Sequence, residues 1–106
     1  MIVDHRTYTL HPGKTAEYLE TYAQKGLAIQ SRYLGAPLAY MSSDIGPLNQ
    51  IVHLWAYENL AEREERRQRL GADPDWNTYL KLVRPLIATQ ENKILKMAPF
   101  VSSGGN

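Results

Sequence analysis

The sequence predicts an α+β domain of the ferredoxin-like kind, a βαββαβ unit with a four-stranded antiparallel sheet and helices on one face. Three observations carry that expectation. Segments at the start, middle and end of the chain alternate with period two, as half-buried strands do. The segments between them carry apolar residues at helical spacing. The order is strand, helix, strand, strand, helix in two pieces, strand.

Ile2 to Leu10 alternates two sets, Val3/His5/Thr7/Thr9 and Ile2/Asp4/Arg6/Tyr8/Leu10, and is broken by Pro12-Gly13. From Lys14 to Leu34 one expected helical row is Ala16, Leu19, Ala23 and Leu27. A second row is Tyr18, Tyr22, Ile29 and Tyr33. Gly35 and Pro37 stop this helix. Leu38–Ser43 and Gln50–Glu58 form a hairpin of strands around an irregular tip. In the charged stretch from Glu58 to Leu70, Glu62/Arg66 and Glu65/Arg69 stand four apart with the acid first, the favourable order on a helix. Asp73-Pro74 supplies an N-cap and a proline at the first helical position, followed by Trp76, Tyr79, Leu80 and Val83. Thr89 to Met97 is the last strand. The domain is expected to occupy residues 1–100, with 101–106 as a flexible C-terminal tail.

Composition narrows the function classes. The 106 residues carry a net charge of +1, which gives no electrostatic preference for nucleic acid or an anionic membrane. The four arginines from Glu58 to Arg69 alternate with four glutamates, a solvated face rather than a nucleic-acid stripe. Cysteine is absent, which removes disulfides, thiolate ligands and a cysteine nucleophile. Histidines at 5, 11 and 53 show no paired ligand spacing, and no cofactor-binding pattern is found. No secretory or mitochondrial leader and no membrane-length apolar run is evident. A cytoplasmic protein is expected.

In the third strand, Val52, Leu54 and Ala56 form a compact set expected under the helices. Ile51, His53, Trp55 and Tyr57 form the opposite set, with Tyr40 beside it, and are too bulky and apolar to leave in water. Packing against a second copy resolves that exposure, so a homodimer through this face is expected. His53, Trp55 and Tyr57 read first as amphipathic interface residues, and second as a pocket with His53 as the candidate catalytic base or a hydrogen-bond donor. Arg6 and Tyr8 belong beside them. Arg6 requires an anion, from Asp4, Glu91 or a ligand carboxylate. His5 is expected in the core or against a helix, and His11 in solvent. In the loop, Asn49 and Gln50 either present amides at a pocket rim or serve the turn.

Three runs together resemble the signature stretches of NIPSNAP domains: Arg6 to Lys14, Ile45 to Tyr57, and Glu91 to Leu95. The likeness covers Val3 to Phe100. It implies a dimeric α+β barrel, two ferredoxin-like units with their sheets facing each other, and no agreed activity. Relatives by fold include cofactor-independent monooxygenases and isomerases. Two functions follow as expectations. One is a dimeric small-ligand-binding or protein-interaction module. The other is a cofactor-independent enzyme for an aromatic or apolar substrate, in which Arg6 holds an anionic group, His53 moves a proton, and Trp55 and Tyr57 shape the pocket.

Overall fold

The computed structural model describes residues 1–101. Strands β1 (Ile2–Leu10), β2 (Ala39–Ser42), β3 (Gln50–Tyr57) and β4 (Ile87–Lys96) form one sheet in the order β2-β3-β1-β4, every neighbouring pair antiparallel. This is the expected split βαβ arrangement, with strand ends within two residues of those read from alternation. Of the expected tail, Val101 alone is described, and residues 102–106 lie outside the described residues.

Three helical rods cover one face. The first runs through α1 (Thr15–Thr21), a π-helical turn (Tyr22–Gly26) and α2 (Leu27–Leu34). Its buried positions are Tyr18, Tyr22, Gly26, Gln30 and Leu34, a strict spacing of four. A regular α-helix drifts by about 40° every four residues. The extra residue in the π turn cancels part of that drift and keeps the row in line. This corrects the expected rows, since Ala16, Ala23 and Leu27 are exposed. The second rod, α3 (Leu60–Gly71), is capped by Asn59, whose side chain accepts from the Glu62 backbone N–H. The expected i,i+4 pairs form, Arg66–Glu62 at 2.8 Å and Arg69–Glu65 at 3.5 Å. Asp73 caps the third rod, α4 (Pro74–Val83), by accepting from Asp75 and Trp76 backbone N–H groups.

The two sets of sheet side chains separate as their alternation requires, but the expected assignment of faces is inverted. Ile51, His53, Trp55 and Tyr57 lie under the helices and are buried within the chain itself. Val52, Leu54 and Ala56 are half-buried and share the open face with Thr7 and Met41, their cross-strand neighbours. Period two defines two faces without saying which one is covered. Here the helices contribute large rings, Tyr18, Tyr22, Trp76 and Tyr79, and the bulky set of β3 fills the space against them. His5 also differs from expectation: its register beside Leu54 puts it half-buried on the open face. His11 is exposed, as expected.

Candidate functional site

Register brings the site together. Arg6 lies directly opposite His53 across β1 and β3, and His53 directly opposite Tyr40 across β3 and β2. Directly opposed residues share a face, so all three point toward the helices. Above them a cavity of about 170 Å³ opens between sheet and helices. Arg6, Tyr8, Tyr40 and His53 line it from the sheet. Tyr18, Tyr22, Arg67, Trp76 and Tyr79 line it from the helices, with Arg84 and Gln90 at its edge. Among the described residues three arginines therefore face the space, and no carboxylate does.

His53 is 1% exposed and Trp55 fully buried. The Trp55 indole N–H donates to His53 Nδ1 at 2.6 Å. An indole nitrogen only donates, so Nδ1 must offer its lone pair and the neutral ring carries its proton on Nε2. Nε2 has no hydrogen-bond partner among the described residues. Burial first, and then the positive charge of Arg6, lowers the His53 pKa from 6.5 to about 3. At neutral pH His53 is thus an uncharged, oriented N–H donor. That geometry favours the donor role over the general-base role expected for it, because the basic nitrogen is already engaged.

Arg6 is held in place. Its Nε donates to the Tyr8 hydroxyl at 3.2 Å and one terminal nitrogen to Asp4 at 3.3 Å. Asp4, fully buried, also accepts from Arg63 Nε at 3.0 Å and from Asn92 Nδ2 at 3.1 Å. Burial alone would raise the Asp4 carboxyl. The hydrogen bonds from Asn92 and Arg63 and the charges of Arg6 and Arg63 outweigh it and hold the carboxyl below its ordinary value. One carboxylate thus serves two arginines. Arg67, one turn beyond Arg63 on the same row of α3, has a buried terminal nitrogen without a partner among the described residues.

The aromatic walls are ordered by contact with one another. The Tyr40 ring stacks on Tyr22 with centroids 4.4 Å apart and on His53 at 4.6 Å. Tyr8 meets His53 edge-on at 4.7 Å. The Tyr18 and Tyr40 hydroxyls share a hydrogen bond of 2.9 Å, and Tyr22 donates to Gln30 Oε1 at 2.6 Å. The Tyr79 hydroxyl is buried and has no partner among the described residues. Burial raises the Tyr18 pKa to about 12 and pushes Tyr22, Tyr40 and Tyr79 upward as well.

Of the expected site residues, Arg6, Tyr8, Tyr40 and His53 meet at this cavity. Trp55 supports His53 from beside it, and Tyr57 is buried further along β3. Asn49 and Gln50 are not on its wall. Asn49 takes a left-handed backbone, φ 62°, and its carbonyl accepts from Leu10, so it serves the turn. Gln50 pairs with Thr9 on the open face. Sequence reasoning missed Arg67, Arg84, Gln90 and the tyrosines of the helices. A signal for Arg67 was present: pairing Glu62 with Arg66 and Glu65 with Arg69 leaves Arg63 and Arg67 four apart, two like charges on one row. Among the described residues no group of three or more His, Asp or Glu side chains converges to hold a metal, and no helix is long and apolar enough to cross a membrane.

Comparison with known proteins places this architecture. A NIPSNAP family profile matches residues 3–102. A NIPSNAP family protein of unknown function from Agrobacterium tumefaciens is 46% identical and superposes with a TM-score of 0.93, covering 95% of this chain and 91% of that one. A NIPSNAP-like domain protein from Burkholderia xenovorans is 42% identical with a TM-score of 0.93, covering 95% and 88%. The human protein NipSnap homolog 3A is 30% identical over 92% of this chain, which spans 39% of the human protein's length. An antibiotic biosynthesis monooxygenase at 15% identity and a TM-score of 0.64 shares the fold. The fold, the matched span and these relatives agree: the chain belongs to the NIPSNAP family.

Proposed function

We propose that this protein binds a small organic anion in the cavity between its sheet and its helices, and that it works as a homodimeric binding module. The observation that carries the proposal is the wall itself, where Arg6, Arg67 and Arg84 face the space without a carboxylate among the lining residues. An unpartnered buried guanidinium nitrogen is costly, and an anionic occupant offsets that cost at Arg67. Proton transfer is not part of the proposal. His53 is held neutral with its basic nitrogen engaged, and burial raises the pKa values of the wall tyrosines Tyr18, Tyr22, Tyr40 and Tyr79, which keeps their hydroxyls protonated.

The dimer is proposed through the open face of the sheet, replacing the aromatic face first expected to form it. Val52, Leu54 and Ala56 on β3 are half-buried and Met41 on β2 is exposed, an apolar strip on that face flanked by His5, Thr7, Glu91 and Lys93. Leu95 of β4 adds to it with 40% of its surface exposed. A chain of this size gains from burying such a face, and a second copy offers a matching one. The cytoplasm remains the proposed location, in keeping with the cysteine-free composition.

A thermal-shift panel of small organic anions, each set against its neutral amide, tests the proposal. Several acids are expected to raise Tm, their amides are not, and Arg67→Met is expected to remove the effect. Acids and amides acting alike, or an undiminished effect in Arg67→Met, would contradict it.

A further inference from the structure

Resting on that anion-binding reading, we infer that the occupant is a small aromatic carboxylate, with one ring and its acid group held in a single cavity. Size, wall and polarity converge on this class. An interior void of roughly 150 Å³ takes a benzene ring. The cavity here, about 170 Å³, takes a ring with a short substituent and is below the ~300 Å³ at which sites for drug-sized ligands begin. A nucleotide does not fit within it.

The wall is aromatic on both sides. Tyr8, Tyr40 and His53 stand on the sheet, and Tyr18, Tyr22, Trp76 and Tyr79 on the helices. Their planes already alternate between stacked contacts, such as Tyr40 on His53 at 21°, and edge contacts, such as Tyr8 on His53 at 81°. A flat ring continues that pattern and gains from ring contacts beyond simple burial. A saturated ring of the same volume gains burial alone.

The polar groups are donors in want of acceptors. His53 Nε2, an Arg67 terminal nitrogen and the Tyr79 hydroxyl line the cavity, are buried and make no well-formed hydrogen bond among the described residues, with the Tyr57 hydroxyl near Arg67 and the Tyr18 hydroxyl near Tyr79. His53 and Tyr79 are 1% and 3% exposed. Two are N–H groups that only donate in the states established above, and the hydroxyl can also donate. A carboxylate brings two acceptor oxygens in the planar geometry that a guanidinium fork matches. Phosphate is the competing anion for arginine. It is commonly cradled by backbone N–H groups at glycine-rich loops and helix starts, whereas among the described residues this wall is built of arginine, glutamine, aromatic and aliphatic side chains, with no glycine.

Isothermal titration of the intact protein with benzoate, cyclohexanecarboxylate and inorganic phosphate distinguishes the classes. Benzoate is expected to bind one per chain, at least about tenfold more tightly than cyclohexanecarboxylate, with phosphate weaker still. Arg67→Met is expected to weaken benzoate roughly tenfold or more. Tyr79→Phe removes only the hydroxyl and is expected to weaken it severalfold, which separates loss of a donor from loss of the fold. Equal affinity for the saturated acid, or preference for phosphate, would overturn the aromatic-acid inference while leaving an anion site standing. Acids that raise Tm in the panel without any binding of benzoate would do the same. No anion binding of any kind would overturn both.

Discussion

The Trp55 indole N–H and His53 Nδ1, 2.6 Å apart in the buried layer beneath the helices, make His53 a donor. The proton of the neutral ring is confined to Nε2, and the ring cannot take a second proton without setting an imidazolium N–H against the indole N–H. Long-range ¹H–¹⁵N spectra are expected to show His53 as a neutral Nε2–H tautomer at pH 7 and still at pH 5. A titration midpoint above pH 6 would contradict the assignment.

The same depressed value sets a pH dependence. Free histidine in the unfolded chain protonates near 6.5, while folded His53 resists until about 3. Between those values the unfolded state binds more protons, so stability falls as pH drops. The contribution approaches about 1.4 kcal/mol per pH unit. That slope applies only between about 3 and 6.5, so the stability tied to the neutral ring is fully present above 6.5 and lost as pH falls toward 3. Denaturant melts at pH 7 and pH 5 check this, and His53→Gln is expected to flatten the difference between them.

Asp4 anchors two arginines and one asparagine from a fully buried position. Asp4→Asn leaves Arg6 and Arg63 without their shared countercharge. Removing one member of a buried charged cluster costs on the order of 3 kcal/mol, and chemical denaturation is expected to read a loss of that size. A loss below about 1 kcal/mol would mean that the cluster is solvated and not buried.

The π turn packs so closely on the cavity wall that Gly26 has no room for a side chain. A Cβ built there meets the Tyr79 ring at 2.7 Å and the Tyr22 ring at 2.9 Å. Both rings line the cavity, so the helix can relieve the clash only by moving its wall. Gly26→Ala is expected to cost about 1–3 kcal/mol by overpacking and to weaken ligand binding together with stability. A neutral or stabilising effect would contradict this packing.

Much of this was legible in the sequence, and the failures have physical reasons. Alternation in Ile2–Leu10 and Gln50–Tyr57 sufficed to locate the central strands and to put Arg6 beside His53. Asp73-Pro74 announced the start of α4. Alternation cannot say which face is covered, however, because the answer depends on which rings the helices bring. For that reason Trp55 and Tyr57 were expected at an interface and lie in the core instead. The π turn leaves no periodic mark, since one inserted residue shifts the row only after Tyr22. Arg67 was hidden by its neighbours, because a run rich in glutamate and arginine reads as solvated until its pairs are matched. The tyrosines of the helices read as core, and they are core that also walls a cavity.

The open face of the sheet carries the proposed dimer. Leu54 sits at the centre of β3 on that face, opposite His5 on β1 and Ala39 on β2. Leu54→Lys places a charge there without entering the cavity on the other side. Sedimentation velocity at micromolar concentration is expected to show a dimer for the parent chain and a monomer for the variant. A monomeric parent would contradict the assembly and leave the cavity argument untouched.

The central claim is that the space between Arg6, Arg67 and His53 holds an anion. It is tested most directly by titration calorimetry with whichever acid gives the largest thermal shift, run on the parent chain and on Arg67→Met. One site per chain, weakened roughly tenfold or more by the substitution, is the predicted result. Equal binding by both proteins, or heat only from non-saturating surface association, would contradict it.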